Sequence, residues 1–436
     1  MMAPPRAPSA LSEGFRSLRS RNYRLFWLGQ LVSLAGTWMQ DVALSWLVLH
    51  VTHSPEALGL TMAIRFLPAL LFSTYAGVLV DRLPKRLTLV GTQSVHALVA
   101  LTLAILYSGN LITVATIWLI YILAGLRGLV DALDGPTRQS FVVEMVGPKD
   151  LPNAVALNST LFNAARVIGP ALGAAVIASP LGLTGCFYFN AVSFLAVIGG
   201  LLAMRTSELH LSRRITRDGS LTQLREGFRY VRSTPEVMVI FIVMAMVGAF
   251  GYNFQTLLPL VSTYILKGDA SNLALLMTVM GIGAVLAGLF VAFWGKPNLK
   301  LLLVSAAIFT VLLAATAFSR STLLTCALLF LNGVVGILFL TSANTRLQLG
   351  VPGDLRGRVM GMYVVLFIGT TPIGSYLIGY LAEHISSDQV LAVQLTIVIM
   401  AGLCAAGVII GWLYAVRHRG GPVSAQEMVE KSSGAA

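Results

Sequence analysis

Runs of apolar residues, each close to the length of a helix that crosses a bilayer, alternate with short polar segments from one end of this chain to the other. The hydrocarbon core of a membrane takes about 20 residues of helix. Twelve such runs can be read, at 25–50, 57–80, 87–108, 112–133, 154–178, 187–204, 237–266, 273–294, 301–318, 323–345, 359–381 and 390–416. None carries the polar face at 3.6-residue spacing that a large soluble helical bundle would need on its outside. The pattern therefore predicts an all-α integral membrane protein with twelve transmembrane helices. An even number also keeps the two basic ends of the chain on one side.

Charge sharpens this picture. Of the 30 lysines and arginines, Arg65, Arg127 and Arg166 lie within spans, and Lys267 and Arg320 lie in loops on one side. All the others fall on the opposite side, in the tails and in loops at 81–86, 134–153, 205–236, 296–300 and 346–358. Cytoplasmic loops carry such an excess, so both ends of the chain are expected in the cytoplasm. A net charge of +12 would also suit nucleic acid. Basic residues in short loops beside spans are already accounted for by insertion topology and anionic lipid, so lipid, not nucleic acid, is the expected partner. A mean hydropathy of +0.80 with 11% charged residues excludes an ordinary soluble fold. Cys186, Cys326 and Cys404, far apart in the apolar runs, read as small apolar fillers and not as a redox or metal site. The first 24 residues are polar and basic and lead straight into the first span, with no cleavable signal.

The chain reads as two copies of one unit. Glu144-Met-Val-Gly-Pro-Lys-Asp150-Leu151-Pro-Asn-Ala-Val155 leads into the fifth span, and 204 residues on, Gln348-Leu-Gly-Val-Pro-Gly-Asp354-Leu355-Arg-Gly-Arg-Val359 leads into the eleventh. The expected divisions are a cytoplasmic tail at 1–24, a six-helix bundle at 25–204, a cytoplasmic connector at 205–236, a second six-helix bundle at 237–416 and a tail at 417–436. In the connector, Leu221, Leu224, Phe228 and Val231 recur at helical spacing while Arg225, Arg229 and Arg232 take other faces, which suits a helix lying on the inner membrane surface. Transporters built from parallel halves place their substrate site near the midplane, between the halves.

Between the second and third spans, Gly77-Val-Leu-Val-Asp81-Arg82-Leu-Pro-Lys85-Arg86 resembles the inner-loop signature of the major facilitator superfamily. The resemblance implies that Asp81 braces the start of the eleventh span, near Gly357 and Arg358, when the cytoplasmic side is closed, and that the basic residues anchor the loop at lipid headgroups. The matching stretch of the second half, from Phe293 to Lys300, has no acid, so the latch would be one-sided. Three further stretches, from Pro136 through Arg138 to Glu144, from Asp150 to Asn158, and from Phe162 through Arg166 to Gly173, resemble the branch that contains macrolide efflux pumps and the enterobactin exporter. Gly36 to Trp46 and Gly353 to Gly361 fit the same branch. Gly169, Pro170 and Gly173 resemble the fifth-span antiporter signature, with Ala165 and Ala174 where glycines are usual. These resemblances imply a location in the bacterial inner membrane, multi-pass, and a direction of export.

Ionisable residues inside spans are the candidates for coupling, because each costs roughly 2.5 to 3.5 kcal/mol at the bilayer centre unless paired or hydrated. Asp41 and Arg65 lie about nine residues either side of the same outer turn and should share a depth, as an ion pair or as a carboxylate that carries a proton. Arg127 and Asp131, four apart, share a helix face, with Asp134 and Arg138 at its inner end; this group could reach Asp81 across a cytoplasmic gate. Arg166 lies deep in the fifth span with no partner legible. Glu383 and His384 read as a solvated outer loop. Gln40, Asn163, Asn253 and Gln255 could hydrogen-bond a solute, and Trp38 could give it an apolar wall.

There is no phosphate-binding glycine loop, so ATP is not the expected energy source, and no catalytic or metal-ligand cluster stands out. No enzyme activity and no cofactor are expected. The reading is a secondary active transporter that couples proton entry to efflux of a small amphipathic compound, whether a drug, a siderophore or a secondary metabolite, working as a monomer by alternating access. Uptake of a metabolite and a non-transporting membrane scaffold or sensor are the alternatives.

Overall fold

In the computed structural model, which describes residues 14–80, 82–210, 220–294 and 297–418, helices fill almost every apolar run. Eleven segments are long and apolar enough to cross a membrane. One of them, Val114–Ile177, has 64 residues, about three times what a bilayer needs. Its helix, Trp118–Ile177, is broken at Gly147, whose φ of 71° and ψ of 172° no helix contains. The chain reverses there: Ser20 donates to the Met145 carbonyl on one side of the break, and Tyr23 to the Ala154 carbonyl on the other. Two spans thus share that helix, and the count is twelve. Glycine meets the left-handed φ without the clash a Cβ would bring. The expectation of a loop over 134–153 is corrected to two helices meeting at one residue, because a helix need not end where its apolar run leaves the membrane.

The first three spans are Arg21–Thr52, Pro55–Val80 and Lys85–Ser108; the sixth is Gly182–Leu202. A connector helix, Ser220–Ser233, precedes the second half. Its Gly227 seats against Arg358 and Met362. Of the expected apolar stripe, Val231 is buried but Phe228 is exposed; the side chains of Leu221 and Leu224 lie outside the description. The seventh span, Pro235–Ile265, holds two wide π-turns, Val247–Gly251 and Val261–Ile265, around the short helix Phe254–Leu260. The eighth to tenth spans are Ala270–Trp294, Leu299–Phe318 and Thr322–Gly350. The eleventh is Gly353–Ile368 followed by Thr371–His384, interrupted just ahead of Pro372, and the twelfth is Gln389–Arg417. Ser20, Asn298 and Asp388 cap the first, ninth and twelfth spans by accepting from backbone N–H groups that have no partner in the first turn.

The two halves meet along the second and eleventh spans, the fifth and eighth, and the first and seventh. We call the face with the basic loops the basic face, and the opposite one the far face. Toward the far face, the second and eleventh spans are in backbone contact: a Cβ on Gly59 would lie 2.5 Å from the Ser375 carbonyl, and one on Gly379 would lie 2.6 Å from the Pro55 carbonyl. At mid-depth Gly369 still touches Leu70. Beyond that level the pair parts, with Leu71 and Phe72 half exposed and Gly357 and Gly361 facing open space. Among the described residues, the second and eleventh spans are therefore in contact toward the far face and part toward the basic face.

Candidate functional site

The most charged point of the membrane interior is Asp41, in the first span. Its Oδ1 accepts from Arg127 Nη1 of the fourth span at 2.7 Å, and its Oδ2 accepts from Arg65 Nη2 of the second at 3.0 Å. All three side chains are buried, at 4–8% exposure. Gly128 makes this possible, since a Cβ there would sit 2.0 Å from the Arg65 carbonyl and hold the second and fourth spans apart. Gln255, in the short helix between the π-turns, completes the group from the other half: its amide nitrogen lies 3.4 Å from Asp41 Oδ2 and its oxygen 3.4 Å from Arg65 Nη1. One carboxylate between two guanidinium groups leaves a net positive charge, and removing one partner from a buried pair typically costs about 3–5 kcal/mol because the other charge is stranded.

The expected Asp41–Arg65 pairing is present. Arg127 lies on one helix face with Asp131, as the spacing predicts, 3.9 Å from it at Nε, and makes its shorter contact with Asp41, which the spacing did not indicate. Asp131 also faces His96 Nε2 at 3.4 Å, and its side chain is 43% exposed. Asp134 takes hydrogen bonds from Thr92 at 2.7 Å, Gln93 at 2.8 Å and Arg138 at 2.8 Å, and Arg138 extends to Gln30 at 3.3 Å. Asp134 and Arg138 are thus tied to the third and first spans of their own half; Asp81, which the group is expected to reach, lies outside the described residues.

Of the inner-loop motif, Gly77 lies in the second span, Arg82 is exposed, and Asp81 lies outside the described residues. Lys85 bonds Glu144 at 2.6 Å and Arg86 the Leu201 carbonyl at 2.7 Å, so these two brace their own half and do not simply anchor to headgroups. Arg358, expected beside Asp81, pairs with Glu226 of the connector.

The expected cavity residues divide. Gln40 accepts from Asn190 of the sixth span at 2.8 Å, and Asn253 donates to the Ala249 carbonyl at 2.6 Å and accepts from Ser375 at 3.0 Å. These two amides thus make helix contacts, because a buried amide must find partners where water is absent; Gln40 also lines a small cavity with Arg65 and Arg127. Asn163 donates to the Ser159 carbonyl of its own helix at 2.9 Å. Trp38 is half-buried against Phe162, with ring centroids 6.1 Å apart, and the Arg166 guanidinium carbon stands 5.9 Å from its ring centroid. Gly169 and Gly173 seat the fifth span on the first, where a Cβ on Gly169 would lie 2.4 Å from Trp38 Cβ; the helix continues through Pro170 to Ile177.

A further cross-half group lies at the far face. Glu383, at the end of the eleventh span, accepts from the Ser54 hydroxyl at 2.5 Å and the Glu56 N–H at 2.8 Å, capping the second span from the other half. Tyr376 donates to Glu56 at 3.1 Å, and Tyr264 of the seventh span to the His53 carbonyl at 3.3 Å. The expectation of a solvated loop at Glu383 is corrected. Ser54-Pro55-Glu56 is a helix-start signature that signalled a cap was needed, though not who supplies it.

The sequence profile of a family described as transmembrane secretion effector matches residues 12–426. The Staphyloferrin A transporter of Staphylococcus aureus is 26% identical over 83% of this chain and 89% of its own length. The multidrug efflux pump Tap of Mycolicibacterium fortuitum is 26% identical over 81% and 87%. Macrolide efflux protein A of Streptococcus pyogenes is 21% identical over 86% and 92%. Among solved structures, the POT family transporter PepTSo superposes with a TM-score of 0.74 at 12% identity, over 92% of this chain and 99% of that one, which shows a shared fold.

Proposed function

This chain belongs to the transmembrane secretion effector family of the major facilitator superfamily, and on that footing we propose that it exports a small amphipathic compound in exchange for protons. The relatives above carry the names of a Staphyloferrin A transporter, a multidrug efflux pump and a macrolide efflux protein, and the last two support export of a small organic solute. The basic loops support a cytoplasmic assignment for the basic face in a bacterial inner membrane, with both termini cytoplasmic. In that orientation the far-face contacts close the outside, and the parting of the second and eleventh spans is the cytoplasmic entry to a solute chamber between the halves. We divide the chain accordingly into halves at 25–204 and 237–416, joined by the connector at 205–236.

The observation that carries the coupling is the Asp41 group, in which one carboxylate is held by two spans of the first half and by Gln255 of the second. A proton on Asp41 removes the charge that both arginines share and weakens the bond to Gln255, which frees the halves to rock. Deprotonation restores the contact. Asp131, half exposed and linked to Arg127, is the acid through which a proton reaches this level from the chamber. Proteoliposomes with an imposed pH gradient test the proposal. Solute movement should follow the gradient in the native protein and become indifferent to it in Asp41→Asn, and native transport that ignores the gradient overturns proton coupling.

A further inference from the structure

We infer that Arg166 is the anchoring cation for a carboxylate on the solute, with Trp38 and Phe162 as the apolar shelf beside it; this rests on the transport reading above and names the class of solute. In the fifth span, Ala165 is fully buried and Gly169 packs against the first span, while Val167 packs against Gly281 of the eighth. Arg166 therefore projects at the seam where the halves meet, and its guanidinium lies over the Trp38 ring, which Phe162 meets edge to face.

Charge at this depth does not balance within the protein. Asp41 gives its oxygens to Arg65 and Arg127, Asp131 turns to His96 and Arg127, and Asp134 is filled by Thr92, Gln93 and Arg138. Among the described residues, the Arg166 guanidinium has no hydrogen-bond or ion-pair partner; it stands over Trp38 and within electrostatic reach of the Tyr252 hydroxyl. Arginine cannot shed its proton. A guanidinium deep in a span is costly unless it is paired or hydrated; this one is only partly buried, which leaves its open side for an outside counter-ion. Its planar fork matches the two oxygens of a carboxylate. The bilayer midplane is on the order of 15 Å from the headgroups, which removes lipid phosphate as the source. A solute carboxylate and an inorganic anion such as chloride remain, and the aromatic shelf favours the first.

Binding of 2-naphthoate and of neutral 2-naphthamide to the purified full-length protein, with chloride as a third arm, tests this. Native protein should bind naphthoate at least about tenfold more tightly than naphthamide, the factor that a charge-assisted hydrogen bond carries. Arg166→Gln should abolish that preference without lowering the unliganded melting temperature, and Arg166→Lys should keep part of it. Equal binding of the two probes by native protein, an unchanged preference in Arg166→Gln, or full competition by chloride at millimolar level each overturn the inference. A lower melting temperature in unliganded Arg166→Gln, revealing a structural partner, does the same. Ethidium efflux from cells separates the two readings: efflux kept by native protein and Arg166→Gln alike, with no naphthoate preference, sinks only the Arg166 assignment. Naphthoate binding with no efflux of any probe sinks the transport reading instead.

Discussion

Replacing Asp41 by asparagine keeps the shape of the side chain and removes its charge. Two guanidinium groups, both below a tenth exposed, then face each other across a neutral amide. At an effective dielectric near 20, each lost attraction is about 4 kcal/mol gross at 4 Å, and the repulsion between the arginines is no longer offset. Solvation regained on relaxation returns part of this, which leaves a net loss of about 3–5 kcal/mol, the range for a broken buried pair. Arg127→Gln should cost a similar amount by stranding the carboxylate with Arg65 alone. The double variant Asp41→Asn with Arg127→Gln should recover at least about 1 kcal/mol relative to the sum, because it removes one of the stranded cations. Equilibrium unfolding of the purified protein in mixed micelles, followed by tryptophan fluorescence, measures all three. Single variants that lose under about 1 kcal/mol, or a strictly additive double variant, would refute the idea that these side chains form one electrostatic unit.

Three other substitutions probe different parts of the molecule. Glu383→Gln weakens the cap on the second span by about 1.5–3 kcal/mol and should shift the population toward far-face opening, seen as a longer distance between spin labels at Leu111 and Ser321; an unchanged distance distribution contradicts the latch. Gly128→Ala drives a methyl group into the Arg65 carbonyl and should destabilise by about 1–3 kcal/mol while uncoupling transport from pH, and native-like stability would show that the second and fourth spans are not locked there. Asn253→Leu strands the Ser375 hydroxyl and should lower stability by about 1–3 kcal/mol with the solute profile unaltered, so a changed profile would return Asn253 to the chamber wall.

The twelve spans were legible because hydrocarbon thickness imposes a length on each apolar run, and the depth match of Asp41 with Arg65 was legible because both are counted from one turn. Rotation about a helix axis leaves no such trace. The spacing of Arg127 and Asp131 placed them on one face, yet it could not say that this face turns to the first span. Gln40 and Asn253 carry the same hydropathy whether they meet a solute or a neighbouring helix. Glu383 lies 329 residues from Ser54, beyond the reach of any local pattern, and an acid at the end of a span looks solvated until its partner is seen. The helices around Gly147 outrun their apolar stretches, because backbone hydrogen bonding continues in water once the spans have nucleated it.

With a single residue for an elbow, the fourth and fifth spans form a hairpin whose arms have no slack between them. One arm bears Arg127 and the other Arg166. If a solute does seat on the second arginine and a proton on the acid beside the first, as proposed above, this short joint is the covalent link between the two events, with no messenger loop between them.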